Sequence, residues 1–537
     1  MNHLFRNILI MALGCGLLLL AGCDSKETAE APKAPAAPVV DQGAVWAKEY
    51  EAKLQDFYAS TNGTMTVGSI AVDGKTSSYV LQDVAGSLRL VSEDKALSGL
   101  KIEYKIGAVE VTGVNPKPFA EDRLFADKVA WKDFSYVYDL PVLHDQDMGK
   151  ASASAREYVF NGMQGDMDSL MAVLKKGEAG MADLQMFATL ATPEMTFVGV
   201  TSEATIPGYP GYGDKAAKIT GTMDSGFARD VAFIRCGASE MLNYKIALDD
   251  KPLVSIDKYS LKGLVVGDKP EQILSLILSP EQDINAIPAI AIDDMRAAGI
   301  TVHLTDHGLG ELTVADSGIS FAFAKGKTKL AFDAVNIVIP KELEDMASLF
   351  MLGSGTSLSA LHEGPLDLSF AVDMKMEEKD GKTFIDANNL FVSEKNLGNV
   401  TFTVNATADT VAATSPEPFG DMVNSVLVRT FMKVVDTGMV EFGSRLAATQ
   451  VMPEMNPVEG GKAMRAMGVA MLDAQCRQFA GSRAELCNNV LNLLREPGTL
   501  EITVAPPTPI PFDADPAVIL LEQGDEALGL TSSFRKN

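Results

Sequence analysis

Hydrophobic and polar residues alternate over long stretches of this 537-residue chain. A short amphipathic helix is predicted first, from Trp46, Tyr50, Leu54 and Phe57, and a period-two alternation follows it. Such alternation is typical of half-buried antiparallel strands, so a first run of strands is predicted between residues 65 and 138. The apolar positions of this run are Met65, Val67, Ile70, Val72, Tyr79, Leu81, Leu88, Leu90, Leu100, Ile102, Tyr104, Ile106, Trp131, Phe134, Tyr136 and Tyr138.

The period changes between Ala151 and Leu190. Five apolar residues there fall on one face of a helix, and Gly177 and Gly180 would divide this helical stretch in two. Those five residues are Met163, Met167, Leu170, Met171 and Leu174. Strands resume from Met195 to Val266, and a helix near Glu271 to Leu278 is expected to connect them to the second half of the chain.

The second half repeats this order of strands followed by helices. Alternating apolar positions are Ile300, Val302, Leu304, Ile319, Phe321, Phe323, Leu366, Leu368, Phe370, Val372, Val400, Phe402 and Val404. From Pro418 to Arg495 the pattern is helical, with apolar residues at Val423, Leu427, Phe431, Val434, Val435, Met464, Met467 and Met471. A last strand is predicted at Leu500 to Val504.

This order predicts an α+β fold with long antiparallel β meanders in two lobes, covered by Met-rich amphipathic helices. The first β-rich lobe, with its helical insertion, is expected to span 44–290. The second, with the C-terminal helices, is expected to span 291–537. The regular strand-helix-strand alternation of nucleotide-binding folds is absent.

The first residues have the layout of a signal peptide. Arg6 gives a positive start, and Ile8 to Leu20 run without a charge over a length too short to span a bilayer comfortably. Leu20-Ala21-Gly22-Cys23 then resembles the lipobox of bacterial lipoproteins. The resemblance implies that 1–22 is removed, that Cys23 receives diacylglycerol, and that the chain is anchored by lipid on the periplasmic side of a membrane.

The residues that follow Cys23 are expected to form a tether. The segment 23–43 is rich in Ala and Pro and has no apolar periodicity, so it should be semi-extended. Asp24 resembles the signal that keeps a lipoprotein in the inner membrane of enteric bacteria, and the outer membrane is the alternative location.

The body and its C-terminal helices resemble YdgA-like envelope proteins, which are membrane-anchored periplasmic proteins. The similarity lies in the style of the β meander and in the helices that precede Leu494-Arg495-Glu496-Pro497-Gly498-Thr499-Leu500. The function of that family is not established, so the resemblance implies a location and no activity.

The net charge and the positions of the cysteines restrict the partners and the disulfide bonds that we expect. The net charge of −25 argues against nucleic acid and anionic headgroups as partners of the chain as a whole. Cys476 and Cys487 flank a break in a helical stretch, so a helical hairpin could pair them in an oxidising compartment. Cys236 is then left as a small, buried apolar residue.

No catalytic motif is found, so no enzyme activity and no cofactor is predicted. Each of the three Gly-Lys-Thr triplets, at Gly74, Gly326 and Gly381, lacks the glycine that a phosphate-binding loop needs five residues earlier, so they are interpreted as hairpin turns. His303 and His307 have helical spacing but lack the glutamate of a zinc protease, and no metal site is predicted. Histidines are therefore expected on the surface or in turns.

The methionines suggest a ligand site. Methionine side chains are adaptable and occur often on binding surfaces, although most such stripes are ordinary core. A candidate apolar groove is predicted around Met163, Met167, Met171, Met464, Met467 and Met471. Three functions are weighed: a non-enzymatic protein that binds a lipid or another amphiphile, a structural or assembly scaffold that contacts envelope proteins, and a carboxylate-based hydrolase.

Overall fold

The structure is a computed structural model of the chain. It describes residues 42–61, 63–90, 101–114, 124–139, 150–165, 172–173, 175–179, 191–206, 216–232, 235–266, 290–324, 327–352, 357–362, 364–409, 423–511 and 525–537. The predicted signal peptide 1–22, the lipidation site Cys23 and most of the tether lie outside these ranges, as do His144, Gly326 and the helix predicted near Glu271.

Five helices occur in the described part of the chain. They are α1 (Gln42–Ala59), α2 (Lys341–Leu352), α3 (Met439–Val451), α4 (Pro457–Cys476) and α5 (Gly481–Arg495). The first confirms the amphipathic helix predicted around Trp46, and the last three confirm the C-terminal part of the predicted helical region.

The strands are long and follow one another closely. They are β1 (Met65–Thr66), β2 (Ser69–Asp73), β3 (Ser78–Leu90), β4 (Lys101–Val114), β5 (Leu124–Asp139), β6 (Lys150–Gln164), β7 (Glu178–Ala179), β8 (Thr192–Ile206), β9 (Ala217–Ala232), β10 (Arg235–Leu248), β11 (Lys251–Val266), β12 (Ile290–His303), β13 (Glu311–Ala324), β14 (Lys327–Ile339), β15 (Leu366–Lys379), β16 (Lys382–Glu394), β17 (Gly398–Asp409), β18 (Val423–Asp436), β19 (Gly498–Val504), β20 (Ile510–Pro511) and β21 (Leu530–Lys536).

These strands form one sheet of 21 strands. Consecutive long strands pair as antiparallel hairpins, and the short β7 pairs in parallel with β3. The predicted α+β class with long antiparallel meanders is thus confirmed, but the strands form one continuous meander rather than a separate sheet for each lobe. By internal contacts the chain divides into two compact units, Met1–Met295 and Arg296–Asn537.

Two tight hairpin turns link neighbouring long strands, and the one at Gly381 confirms a turn that the sequence predicted. Asp249 and Asp250 connect β10 to β11, and Asp380 and Gly381 connect β15 to β16. All four residues have positive φ, between 50° and 73°. This is the geometry of the tight two-residue hairpin turn, which Asp and Gly adopt with little strain.

The helix predicted from Ala151 onward is wrong over its first part. Lys150–Gln164 is strand β6, which pairs with β5 on one side and with β8 on the other. Ala151, Ala153 and Ala155 are buried by these neighbours. The spacing of Met163 from the later apolar residues matched a helical face, but pairing with a strand on each side provides the backbone with hydrogen-bond partners along β6.

The helix predicted from Val423 to Val435 is also wrong. Val423–Asp436 is strand β18, between β17 and β19. Its many β-branched residues favour a strand, and a bulge between the pairs Asn405–Arg429 and Ala406–Leu427 shifts the alternation by one residue. Because of this shift Leu427 pairs with Ala406 and Phe431 with Thr403, so the two side chains lie on opposite faces of the sheet although their spacing in the sequence is helical.

The core of the first unit lies between α1 and the strands. Leu54 of α1 is buried in it, and Trp46 and Tyr50 of the same helix pack against it with their rings stacked 4.9 Å apart. The strands contribute mainly aromatic side chains, among them Phe134, Tyr158 and Phe160. Helix α1 therefore helps to close the apolar side of the sheet in the first unit, and Val173, in a short helical stretch, joins the same core.

Each of the eight long strands β3, β4, β5, β6, β8, β9, β10 and β11 contains one residue with positive φ. These residues are Asp83, Gly113, Asp133, Gly162, Gly199, Asp230, Asn243 and Gly263. Asp, Asn and Gly adopt this left-handed conformation most readily, and such residues bend a strand as bulges do. In β5 the even-numbered Phe134 and Tyr136 are buried after Asp133, whereas the odd-numbered Val129 is buried before it. The bend at Asp133 therefore reverses which of the alternating side chains point toward the core.

Candidate functional site

The strands of the second unit sort their side chains onto two chemically different faces. Residues directly paired across antiparallel strands point to the same face, and one such row runs Phe321–Leu330–Met374–Ala387–Val404. The same side also carries Thr328, Thr430 and Glu394. Its main apolar residues on β13 to β18 are called the apolar face: Ile319, Phe321, Phe323, Leu330, Phe332, Ala334, Leu368, Phe370, Val372, Met374, Met376, Ile385, Ala387, Leu390, Val392, Val400, Phe402, Val404, Ala406, Ala408, Leu427, Met432 and Val434.

The opposite side of the same strands is mainly polar. Lys327 pairs with Glu377 at 2.9 Å, and Lys433 pairs with Glu501 at 3.5 Å. Asn405 donates a hydrogen bond to Asp386. Charged and amide groups on this side suit contact with water, so the sheet of the second unit is strongly two-sided.

Most side chains of the apolar face are only half-buried. Phe323 is 44% exposed and Val392 is 58% exposed, and the buried members of the face are all alanines: Ala334, Ala387, Ala406 and Ala408. The rings pack sideways on one another, with centroids 5.2 Å apart for Phe332 and Phe370. This differs from the first unit, where the apolar side chains of the strands form a buried core.

Helix α5 covers one end of this side of the sheet. It packs on β19 and β21, where Leu500 and Leu530 are 2% and 8% exposed. Asn489 of α5 donates a hydrogen bond to Ser532 of β21 at 2.9 Å. The apolar face proper, on β13 to β18, lies beyond the strands that α5 contacts, and among the described residues most of its side chains are partly exposed.

The dimensions of the apolar face suit an acyl chain. Six strands at about 4.8 Å each span roughly 29 Å, and the acyl chains of one leaflet occupy about 15 Å of the roughly 30 Å hydrocarbon core. Each buried methylene contributes about 0.8 kcal/mol, and contact with half-exposed Phe, Val and Met side chains supplies this without directional bonds. The arrangement can therefore hold a flexible apolar chain and leave a polar headgroup in water.

The methionines predicted to line a groove lie, where the structure describes them, in two different units of the chain. Met163 is 7% exposed in β6 and belongs to the core of the first unit. Met464, Met467 and Met471 lie on α4, where Met467 is 46% and Met471 is 61% exposed. Met167 and Met171 lie outside the described residues. The apolar face takes the place of the predicted groove, and the alternating runs of β13, β15 and β17 were the sequence signal for it.

The cysteines are arranged as the sequence predicted. Cys476 at the end of α4 and Cys487 in α5 lie at disulfide-bonding distance, with Cα atoms 5.5 Å apart, and both are buried. Cys236 is free and half-buried in β10, where burial raises the pKa of its thiol. A raised pKa disfavours the thiolate, which agrees with the expectation of a small apolar residue rather than a nucleophile.

His362 lies in a turn, as expected of the histidines, but its side chain is buried rather than on the surface. Its Nε2 atom lies 2.9 Å from Oε2 of Glu344, and the two side chains are 4% and 1% exposed. The other carboxylate oxygen of Glu344 accepts a hydrogen bond from the backbone N–H of Leu366 at 2.9 Å. Nothing in the sequence pointed to this pair, because its members lie in α2 and in a later turn, eighteen residues apart.

Two further buried carboxylates accept hydrogen bonds from backbone amides in the second unit. Glu394 accepts hydrogen bonds from the N–H groups of Asn396 and Leu397, each at 2.7 Å. Asp436 accepts from Gly438 and from Val440 at 3.1 Å, at the start of α3. Each carboxylate satisfies amides at a strand end or a helix start, which accounts for its burial by structure alone.

Comparison with known proteins gives no relative. No protein family matches the chain, and no curated protein is similar to it in sequence. Among the helices that the structure describes, none combines the length and the apolar character needed to cross a bilayer.

Proposed function

We propose that this protein is a non-enzymatic, lipid-anchored envelope protein on the periplasmic side of a bacterial membrane, and that it binds the acyl chain of an amphiphile. The observation that carries the proposal is the apolar face of β13 to β18, most of whose larger side chains are partly exposed although the reverse side of the sheet is mainly polar. Monomeric soluble proteins seldom expose continuous apolar areas beyond a few hundred Å², and larger ones mark binding surfaces.

The N-terminal sequence supports the location. Leu20-Ala21-Gly22-Cys23 resembles a lipobox, and the Ala- and Pro-rich residues 24–41 would let the body reach away from its anchor. Asp24 favours the inner membrane. A body tethered in this way meets acyl chains at its own membrane, which gives an apolar face a nearby ligand.

The binding test compares two phenylalanines on opposite sides of the sheet. Phe370 lies on the apolar face, whereas Phe384 lies on the polar side, paired with Glu377 and Thr407. In the chain from residue 24 onward, which keeps every described residue, we expect Phe370→Ser to weaken binding of a fluorescent fatty acid about tenfold, because a large apolar contact is lost. Phe384→Ser should bind like the parent.

Both variants are first checked by circular dichroism and thermal unfolding, so that binding is compared between folded proteins. Mass spectrometry of lipids extracted from the protein purified from its own membrane identifies the natural ligand class. Equal fatty-acid binding by both variants and by an unrelated control protein would contradict the proposal and leave the scaffold function as the better account.

A further inference from the structure

The outer side of the first unit carries a row of hydroxyl groups. The row consists of directly paired residues on four neighbouring strands, β5, β6, β8 and β9: Ser135, Ser154, Thr201 and Thr222. These residues alternate with Phe134 and Ala155, which are buried, so the hydroxyls lie on the side away from the core. At about 4.8 Å between strands, the row is roughly 14 Å long.

The hydroxyl row borders a cleft of about 490 Å³. The cleft lies where β5 and β8 bend, at Asp133 and Gly199, both of which have positive φ. Arg156 of β6 and Asp224 of β9 lie opposite these two residues, since the pairs on either side of them are in register. Small-molecule sites commonly have volumes of about 300–1,000 Å³, so the cleft is large enough to hold a ligand.

The side chain of Arg156 lies in this cleft because position 199 is a glycine. A β-carbon on Gly199 would overlap the Nε atom of Arg156, so the guanidinium group crosses the backbone there. Within the part of the chain that the structure describes, this guanidinium has no ion pair and no hydrogen-bond partner in the protein. Its N–H groups can therefore donate to a ligand.

The charges in the cleft select a ligand that has no net charge. Arg156 would repel a cation, whereas Asp133 and Asp224 would repel an anion. A zwitterion would match these charges but would leave the row of hydroxyls without partners. An acyl chain would leave the hydroxyls, the guanidinium and both carboxylates without partners.

A peptide is also a poor match for this surface. An extended peptide adds to a sheet along a free edge, whereas each of the four strands is paired on both sides. A ligand with many hydroxyl groups fits instead. Its hydroxyls can donate to the carboxylates, accept from the guanidinium, and do both with the Ser and Thr side chains.

We propose that the cleft and the hydroxyl row bind a neutral glycan chain that lies across β5, β6, β8 and β9. Successive sugars of an extended glycan repeat at a distance close to the strand spacing, so each sugar can meet one strand. Arg156, Asp133 and Asp224 orient the sugar that occupies the cleft. The site lies wholly within the first unit and does not depend on what the apolar face binds.

The test is titration calorimetry of the chain from residue 24 onward with three neutral tetrasaccharides: chitotetraose, cellotetraose and maltotetraose. We expect at least one of them to bind. Arg156→Gln and the double variant Thr201→Val/Thr222→Val should each bind that sugar about tenfold more weakly, since hydrogen bonds to the ligand are lost. All three positions are exposed, so the variants should fold like the parent.

The matched controls are Arg89→Gln in β3 and Thr112→Val in β4, which change exposed residues outside the cleft and should bind like the parent. Fatty-acid binding should be unchanged in Arg156→Gln, which separates this test from that of the proposed function. Absence of binding by all three tetrasaccharides, or equal binding by the parent and both cleft variants, would overturn the proposal. Binding of inorganic phosphate that Arg156→Gln abolishes, without sugar binding, would instead assign the cleft to an anion.

Discussion

Four tyrosines lie where α1 meets the sheet of the first unit. The rings of Tyr50 and Tyr79 are 5.5 Å apart, and burial raises the pKa of Tyr50 and of Tyr104 to about 12. Burial also raises the pKa of Tyr58 and of Tyr79. The neutral phenols suit this apolar boundary, whereas a phenolate would lose its hydration there.

The tyrosines should make the first unit sensitive to alkali. An unfolded tyrosine ionises near pH 10, so the stability that the neutral buried form contributes is complete below pH 10 and is lost as the pH rises to about 12. Tyr104→Phe should lessen the decline in unfolding free energy over this range by up to about 2 kcal/mol. Urea unfolding at several pH values measures it, and equal declines in parent and variant would contradict the assignment to Tyr104.

The pair of His362 and Glu344 joins α2 to the turn that precedes β15. Replacing His362 by Phe leaves a buried carboxylate without its partner, which should lower the unfolding free energy by about 3 kcal/mol. His303 offers a matched control, because it lies 2.9 Å from Glu311, whose side chain is 51% exposed. His303→Phe should cost less than about 1 kcal/mol. Similar losses in the two variants, measured by denaturant unfolding, would show that burial does not strengthen the pair.

At the scale of elements, α4 and α5 form a hairpin held by one covalent bond. The small cluster around Cys476, Cys487 and Leu491 is buried, with Val469 and Leu472 packed against it. The hairpin depends on this cluster for its relative placement, because α5 contacts the sheet whereas α4 packs chiefly on the other helices.

The disulfide should stabilise the hairpin measurably. Changing both Cys476 and Cys487 to Ser should lower the unfolding free energy by about 2–3 kcal/mol, the chain-entropy value for a loop of about 12 residues. Cys236→Ser is the control and should change stability little. Thiol titration of unfolded, unreduced parent protein considers Cys236, Cys476 and Cys487. It should find one reactive thiol, that of Cys236. Three reactive thiols would show that the pair is not bonded.

At the scale of the whole molecule, the proposed lipid anchor on Cys23 would hold the protein at a membrane. Cys23→Ser removes the thiol that would accept diacylglycerol, so incorporation of a fatty-acid analogue during growth should fall to background. A Cys236→Ser variant controls for label attached elsewhere. Equal labelling of the parent and the Cys23→Ser variant would contradict lipid anchorage.

The sequence by itself determined the features that depend on neighbouring residues. Period-two alternation predicted most of the long strands, Asp and Gly pairs predicted the tight turns, and the spacing of Cys476 and Cys487 around a helix break predicted their pairing. These succeed because strand pleat, turn geometry and helix hairpins are set within a few residues. The predicted α+β class follows from the same local patterns.

The tertiary structure alone decided the features that depend on distant partners. Residues 151–163 and 423–435 had helical spacing, yet each segment is a strand because paired strands on both sides satisfy its backbone. Met163 became core and Met471 became surface, although both belonged to similar stripes. His362 met Glu344 only through the fold. The apolar face also depends on distant partners. Alternation along one strand shows which residues share a side of that strand, but only the register between strands shows which sides of neighbouring strands join into one face.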